Sequence, residues 1–186
     1  MTLLNNDWQD MFEEVKQWHQ KGIEGDKEAV KQASSLMAKI RLKVFNNTLV
    51  DAYHGSIQAL QARDLISPMD RLDKANKGLK ALDRAVAKEP DNQEIRFLRG
   101  NVAFNLPEMY FHRNKTAVED FEFLIALYEK DSKAFAKETY WKLLYKLGAA
   151  YKNLEKETEA KAAWQKLLSK TTDTGYRKLL QDEGIF

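Results

Sequence analysis

Apolar residues return every three or four positions along nearly the whole chain, and no stretch alternates in the two-residue rhythm of a strand. Trp8, Met11, Phe12, Val15 and Trp18 fall on one face of a first predicted helix, with Asp7 placed to cap it and KGIEGD to end it. Ala29, Val30, Ala33, Leu36, Met37 and Ile40 mark a second, running to about Phe45, and a third spans 48–63. DLISPMD then opens a long fourth helix over 68–88. Ser67 stands at its N-cap, Pro68 in the first helical position and Asp70 in an acidic first turn. Glu89-Pro90 stops it, because the residue before a proline is pushed out of the helical region. Asp91 or Asn92 caps a fifth helix carrying Ile95, Leu98 and Val102, which ends near Phe104. A sixth follows from Asn114 with Ala117, Val118, Phe121, Leu124, Ile125 and Tyr128 inward. Ser132 caps a seventh to about Asn153, an eighth covers about 156–170, and a short ninth starts at Asp173 or Thr174.

One stretch breaks the rhythm. NLPEMYFHRN, 105–114, puts Pro107, Met109, Tyr110, Phe111, His112 and Arg113 where a few small polar residues would serve as a connection. It is too apolar to hang in water, so Tyr110 and Phe111 are expected to fold back over the neighbouring helices. The favoured reading is a local core cap with Phe111 buried and Tyr110 and His112 partly exposed. The sharper one is a partner-contacting lid, since aromatic and arginine side chains dominate binding hot spots.

Paired helices invite a search for repeats. In LYKLGAAYKNLEKETEAKAAWQKLL, Leu147-Gly148, Tyr151, Ala160 and Trp164 resemble a tetratricopeptide repeat in spacing, with Leu144 in place of the motif's tryptophan and no closing proline. Gly148 and Ala160 let two backbones approach, and Tyr151 and Trp164 fill the space beside them. AVAKEPDNQEIRFLRGN resembles the same family at Pro90, Gly100 and Asn101, with Arg96 and Arg99 where packing residues are usual. Ala117, Phe121 and Leu124 recover the second-helix pattern late. Tyr53-His54-Gly55 with Gly78, Leu82, Ala85 and Pro90 sketch another, stretched unit. The implied fold is all-α: a tetratricopeptide-like right-handed superhelix of about four antiparallel hairpins plus a short C-terminal helix, as one domain over 1–186.

The resemblance also implies a partner groove lined by the first helix of each hairpin. The matching positions are Glu94, Phe97, Asn101 and Asn105, then Lys142, Tyr145, Ala149 and Lys152. Members that bind chaperone tails hold a peptide carboxylate with a lysine-asparagine clamp. Asn101 matches that asparagine, but Phe97 stands where the lysine would be, so the clamp is incomplete. Tyr110, His112 and Arg113 would sit at the rim.

Composition narrows the chemistry. The 186 residues contain no cysteine, which removes disulfides, thiolate catalysis and cysteine-based zinc sites. Gly-rich phosphate loops and the common hydrolase and metalloprotease motifs are missing, and His19, His54 and His112 are scattered over separate helices. No cofactor or metal is expected, and the reading is non-catalytic. A net charge of +2 gives no footprint for nucleic acid or an acidic membrane. It hides a gradient: 1–30 hold seven acids against three lysines, and 129–170 ten lysines against six acids. Those lysines interleave with glutamates, as on a solvated helical surface. The longest apolar run, FLIALY at 123–128, is far below a membrane span. The opening residues carry no basic-then-apolar leader, so the expected compartment is the cytoplasm.

A buried guanidinium needs an acidic partner, so Arg96 and Arg99 direct attention to Asp120, with Glu119 beside it, as an internal bridge. The alternative is an anion or enzyme site built from Arg96, Arg99, His112 and Arg113. The leading expectation is a protein- or peptide-binding scaffold whose partner the sequence does not name, with self-assembly as a further alternative.

Overall fold

The computed structural model describes residues 7–182 and Gly184; the residues outside these include 1–6, on which the leader reading partly rests. The described residues form ten helices and no strand, in an all-α helical repeat fold. The chain divides into two compact units, Met1–Arg99 and Gly100–Phe186, with the boundary inside the fifth helix. No helix among the described residues is long and apolar enough to cross a membrane.

The first unit holds α1 (Asp7–Ile23), α2 (Lys27–Lys43), α3 (Thr48–Asp64), α4 (Pro68–Lys88) and the start of α5 (Gln93–Asn105). α1 packs on α2, α2 on α3, and α3 on α4. Ser67 caps α4 by accepting from the Asp70 amide at 3.3 Å, and the Asn92 side chain accepts from the amides of Glu94 and Ile95 at 3.1 and 3.2 Å. α2 ends two residues before Phe45, which lies 78% exposed and offers the core nothing. The tightest contact is between α3 and α4: a Cβ on Gly55 would stand 2.8 Å from the Gly78 carbonyl, and one on Gly78 2.5 Å from the Gly55 carbonyl. Two glycines thus let the helices touch backbone to backbone. Val15, Ala33, Met37, Ile40, Ile57 and Leu82 are buried in the core of this unit.

The second unit holds the end of α5, a single turn α6 (Glu108–Phe111), α7 (Asn114–Lys130), α8 (Lys137–Asn153), α9 (Glu157–Lys170) and α10 (Thr174–Asp182). α7 packs on α8, α8 on α9, and α9 on α10. A Cβ on Gly148 would meet the Trp164 indole at 2.3 Å. That indole is buried and donates its N–H to the Tyr145 carbonyl at 3.0 Å. Two expected caps are displaced. Asn114 is the first residue of α7 and not its cap, because Glu108 already accepts from its amide. α8 starts five residues after Ser132, because the Asp131 side chain takes the Lys133 amide at 3.0 Å and turns the chain before the helix can begin.

Candidate ligand-binding surfaces

In the first unit the leading helices of successive hairpins are joined by polar contacts. Tyr53 on α3 donates to Glu94 on α5 at 2.7 Å, and Lys16 on α1 reaches the same carboxylate at 3.5 Å. The Lys16 ammonium lies 5.1 Å from the Phe12 ring centre, and Phe12 meets Tyr53 edge-on at 5.2 Å. Burial and then the bond to Glu94 push the Tyr53 phenol up, so it stays a donor. Glu94, read from the sequence as groove-facing, is therefore engaged with its own protein. His19 is buried, within 2.8 Å of the Ser56 hydroxyl, and burial lowers its pKa to about 4. It is a neutral core histidine.

Arg96 donates to the Pro90 carbonyl at 2.8 Å, a local tie at the base of α5. Arg99 is buried, with its guanidinium 3.6 Å from the Asp83 carboxylate on α4. Asp83, on the preceding hairpin, joins Asp120, the acid the sequence names for Arg99. Asp120 is itself fully buried on α7, its Cβ against Gly100. Phe97 is half-buried.

The second unit gathers several of the predicted residues. Asn105 donates to the Asn101 carbonyl at 2.7 Å. The Asn101 side-chain oxygen accepts from Lys146 on α8 at 2.5 Å, and the same ammonium stands 5.7 Å from the Phe104 ring centre. Lys142 lies one turn earlier on α8. Burial, and then the Lys142 charge, lower the Lys146 pKa. Lys146 has an amide and an aromatic ring as partners, and no carboxylate within ion-pair distance among the described residues. Tyr145 is half-buried, its ring 6.1 Å from that of Tyr176 on α10. Lys142 and Lys152 are exposed and Ala149 is half-buried. The sequence reading passed over Lys146, one position out of its groove register. Its spacing of four from Lys142 was the available signal.

The interruption at 105–114 resolves into a short helical turn of its own. α6 makes one turn and closes at His112, whose φ of 51° and ψ of 48° are left-handed. The Glu108 carboxylate turns forward to accept from the Asn114 amide at 2.8 Å and its side chain at 3.0 Å. Met109 and Tyr110 are 72% and 66% exposed, His112 is exposed, and Phe111 and Arg113 are half-buried. The segment is thus tied down by Glu108 and Phe111 while presenting Met109 and Tyr110 outward.

Among the described residues no three His, Asp or Glu side chains gather to hold a metal. No protein-family model matches the chain, and no curated protein does. A solved structure of a mutant of MamA is similar: TM-score 0.54 over 86% of this chain and 78% of that one, at 20% identity.

Proposed function

We propose that this chain is a non-catalytic protein-interaction module whose second unit binds a peptide carboxylate between Asn101, Lys142 and Lys146. The observation that carries the reading is Lys146: an ammonium largely withdrawn from water, next to a second lysine and held by neutral groups. Such a charge gains from a carboxylate brought to it, because the pair forms where water screens poorly. Asn101 supplies the amide of a lysine-asparagine pair, and α8 supplies the lysine that Phe97 does not. The helical repeat fold, shared with the MamA structure, is of a kind that offers extended surfaces to partners. Tyr110 and Met109 add exposed apolar area of the kind that partner contacts use.

The test is selection from a peptide library displaying free C-termini, followed by binding measurements on the winners. A charge-assisted hydrogen bond is worth about 1.5–3 kcal/mol. Lys146→Met or Asn101→Ala should therefore weaken binding by about tenfold or more, and amidating the peptide's C-terminus should do the same. Equal binding of amidated peptides, or indifference to Lys146→Met, would sink the carboxylate reading.

A further inference from the structure

The first unit carries a cleft of about 420 Å³ that none of the interaction surfaces above uses. It lies where α3 meets the second half of α4, with the end of α2 closing one side. α4 contributes Lys77, Lys80, Arg84 and Lys88, which recur every three or four residues and so form one row. α2 contributes Arg41, and α3 contributes Thr48, Asp51, His54 and Gln58. Five cations thus face one carboxylate.

The existing pairings leave most of that charge uncompensated. Arg41 reaches Asp51 at 3.7 Å and His54 Nδ1 at 3.1 Å, and Lys77 holds Asp73 outside the cleft at 2.6 Å. Glu89, at the margin, accepts from Thr48 and Asn92, and the Thr48 bond leads in holding its carboxyl below the usual range. Lys80 and Arg84 have no carboxylate within ion-pair distance among the described residues, and the Lys88 charge acts on the Glu89 carboxyl from the margin. Surface lysines usually interleave with acids, as along 129–170. Here Lys80 and Arg84 have no acid of their own and converge with Arg41, Lys77 and Lys88 on one concavity, and that arrangement costs self-repulsion unless an anion shares it.

We infer that this cleft binds a small anion carrying two or more phosphate groups. Its volume falls in the range of small-molecule sites, about 300–1,000 Å³. Only Ala81 and Ala85 are apolar side chains, and the lining has no Phe, Tyr or Trp; the one ring, His54, is already held by Arg41, so the walls offer little platform for a nucleobase or an apolar ligand body. Arg41 and Arg84 supply planar donor forks matched to phosphate oxygens, and the lysines supply charge. Charge reaching the cleft from three helices favours a compact, densely charged ligand over an extended acidic peptide. His54 is its built-in reporter. Burial first, then Arg41, lower its pKa to about 4, with Lys74 acting in the same direction and Asp51 opposing. An anion seated beside it would raise that value.

The experiment uses inorganic tripolyphosphate as probe on the full chain, with calorimetry for affinity and the His54 ring resonances for place. Saturable binding should weaken steeply with added salt. Orthophosphate and hexaglutamate should each bind about tenfold more weakly or worse, lacking the charge density that several cations share. The double variant Lys80→Gln with Arg84→Gln changes two exposed side chains and leaves the core intact. It should lose about tenfold or more, whereas Lys115→Gln with Lys161→Gln should change little. The His54 titration midpoint should rise by about one unit or more with ligand bound. The inference fails if tripolyphosphate does not bind, if both double variants lose equally, if hexaglutamate binds as well, or if His54 does not respond. These outcomes are independent of the peptide test, which probes residues of the other unit.

Discussion

At the scale of single residues, the two positions with the sharpest consequences are Gly148 and His19. A glycine inside a helix costs about 1 kcal/mol relative to alanine, so keeping one there requires a contact that no side chain allows. Gly148 has it: the Trp164 indole occupies the place of its Cβ. Gly148→Leu should therefore destabilise by about 1–3 kcal/mol in denaturant melts, overpacking outweighing the propensity gain. Unchanged melts would mean that the helices part easily. The repeat spacing names both residues, but it implies a close approach of Gly148 and Ala160 with Trp164 beside them, whereas the indole itself lies against Gly148. The role of His19 was not legible in the sequence, since nothing local announces that Ser56 will face it. Its folded pKa of about 4 lies below the ordinary 6.5, so the unfolded chain binds the extra proton between those values. His19 thus stabilises the fold fully above about pH 6.5, and that contribution is lost as pH falls towards 4, by roughly 3 kcal/mol. His19→Gln should flatten this part of the stability profile, with His54 and the carboxylates common to both proteins. A slope unaltered by the substitution would contradict the buried, neutral assignment.

Helix boundaries were readable wherever a capping side chain and the apolar period agreed, as at Ser67 and Asn92. They were misread where a nearby carboxylate intervened. Asp131 delays α8, and Glu108 takes from Asn114 the capping role its residue type suggested. The second case yields an expectation. Glu108→Ala removes the acceptor for the first amide of α7 and should cost about 0.5–2 kcal/mol, as lost caps do. Hydrogen exchange should report the loss locally, at the Asn114 amide and through 105–113, while α9 amides keep their protection. A uniform loss of protection across the second unit would show that Glu108 supports more than the cap. Phe111, expected to be buried, is only half so, because one turn of helix is too short to bring two faces against the core.

At the level of the whole molecule, the chain presents two chemistries in two separate units. Lys146→Met should weaken carboxylate-peptide binding about tenfold or more and leave the affinity for tripolyphosphate within about twofold, since sites that share no partners behave additively. A loss of both would argue that one charged surface serves both ligands. The fold was legible in the sequence because helix periods and repeat spacings are local signals. The phosphate cleft was not: Arg41 and Lys88 meet only after three helices pack, and along the chain the α4 lysines look like a solvated face. Lys146 was missed for a related reason, since its partner Asn101 lies on another hairpin. The seat of Trp164 also gives the protein an optical signature. Trp8, Trp18 and Trp141 are half-exposed and emit in contact with water, whereas Trp164 sits dry against Gly148. The blue edge of the emission spectrum therefore belongs to the last hairpin, and its red shift during unfolding follows the opening of α8 from α9.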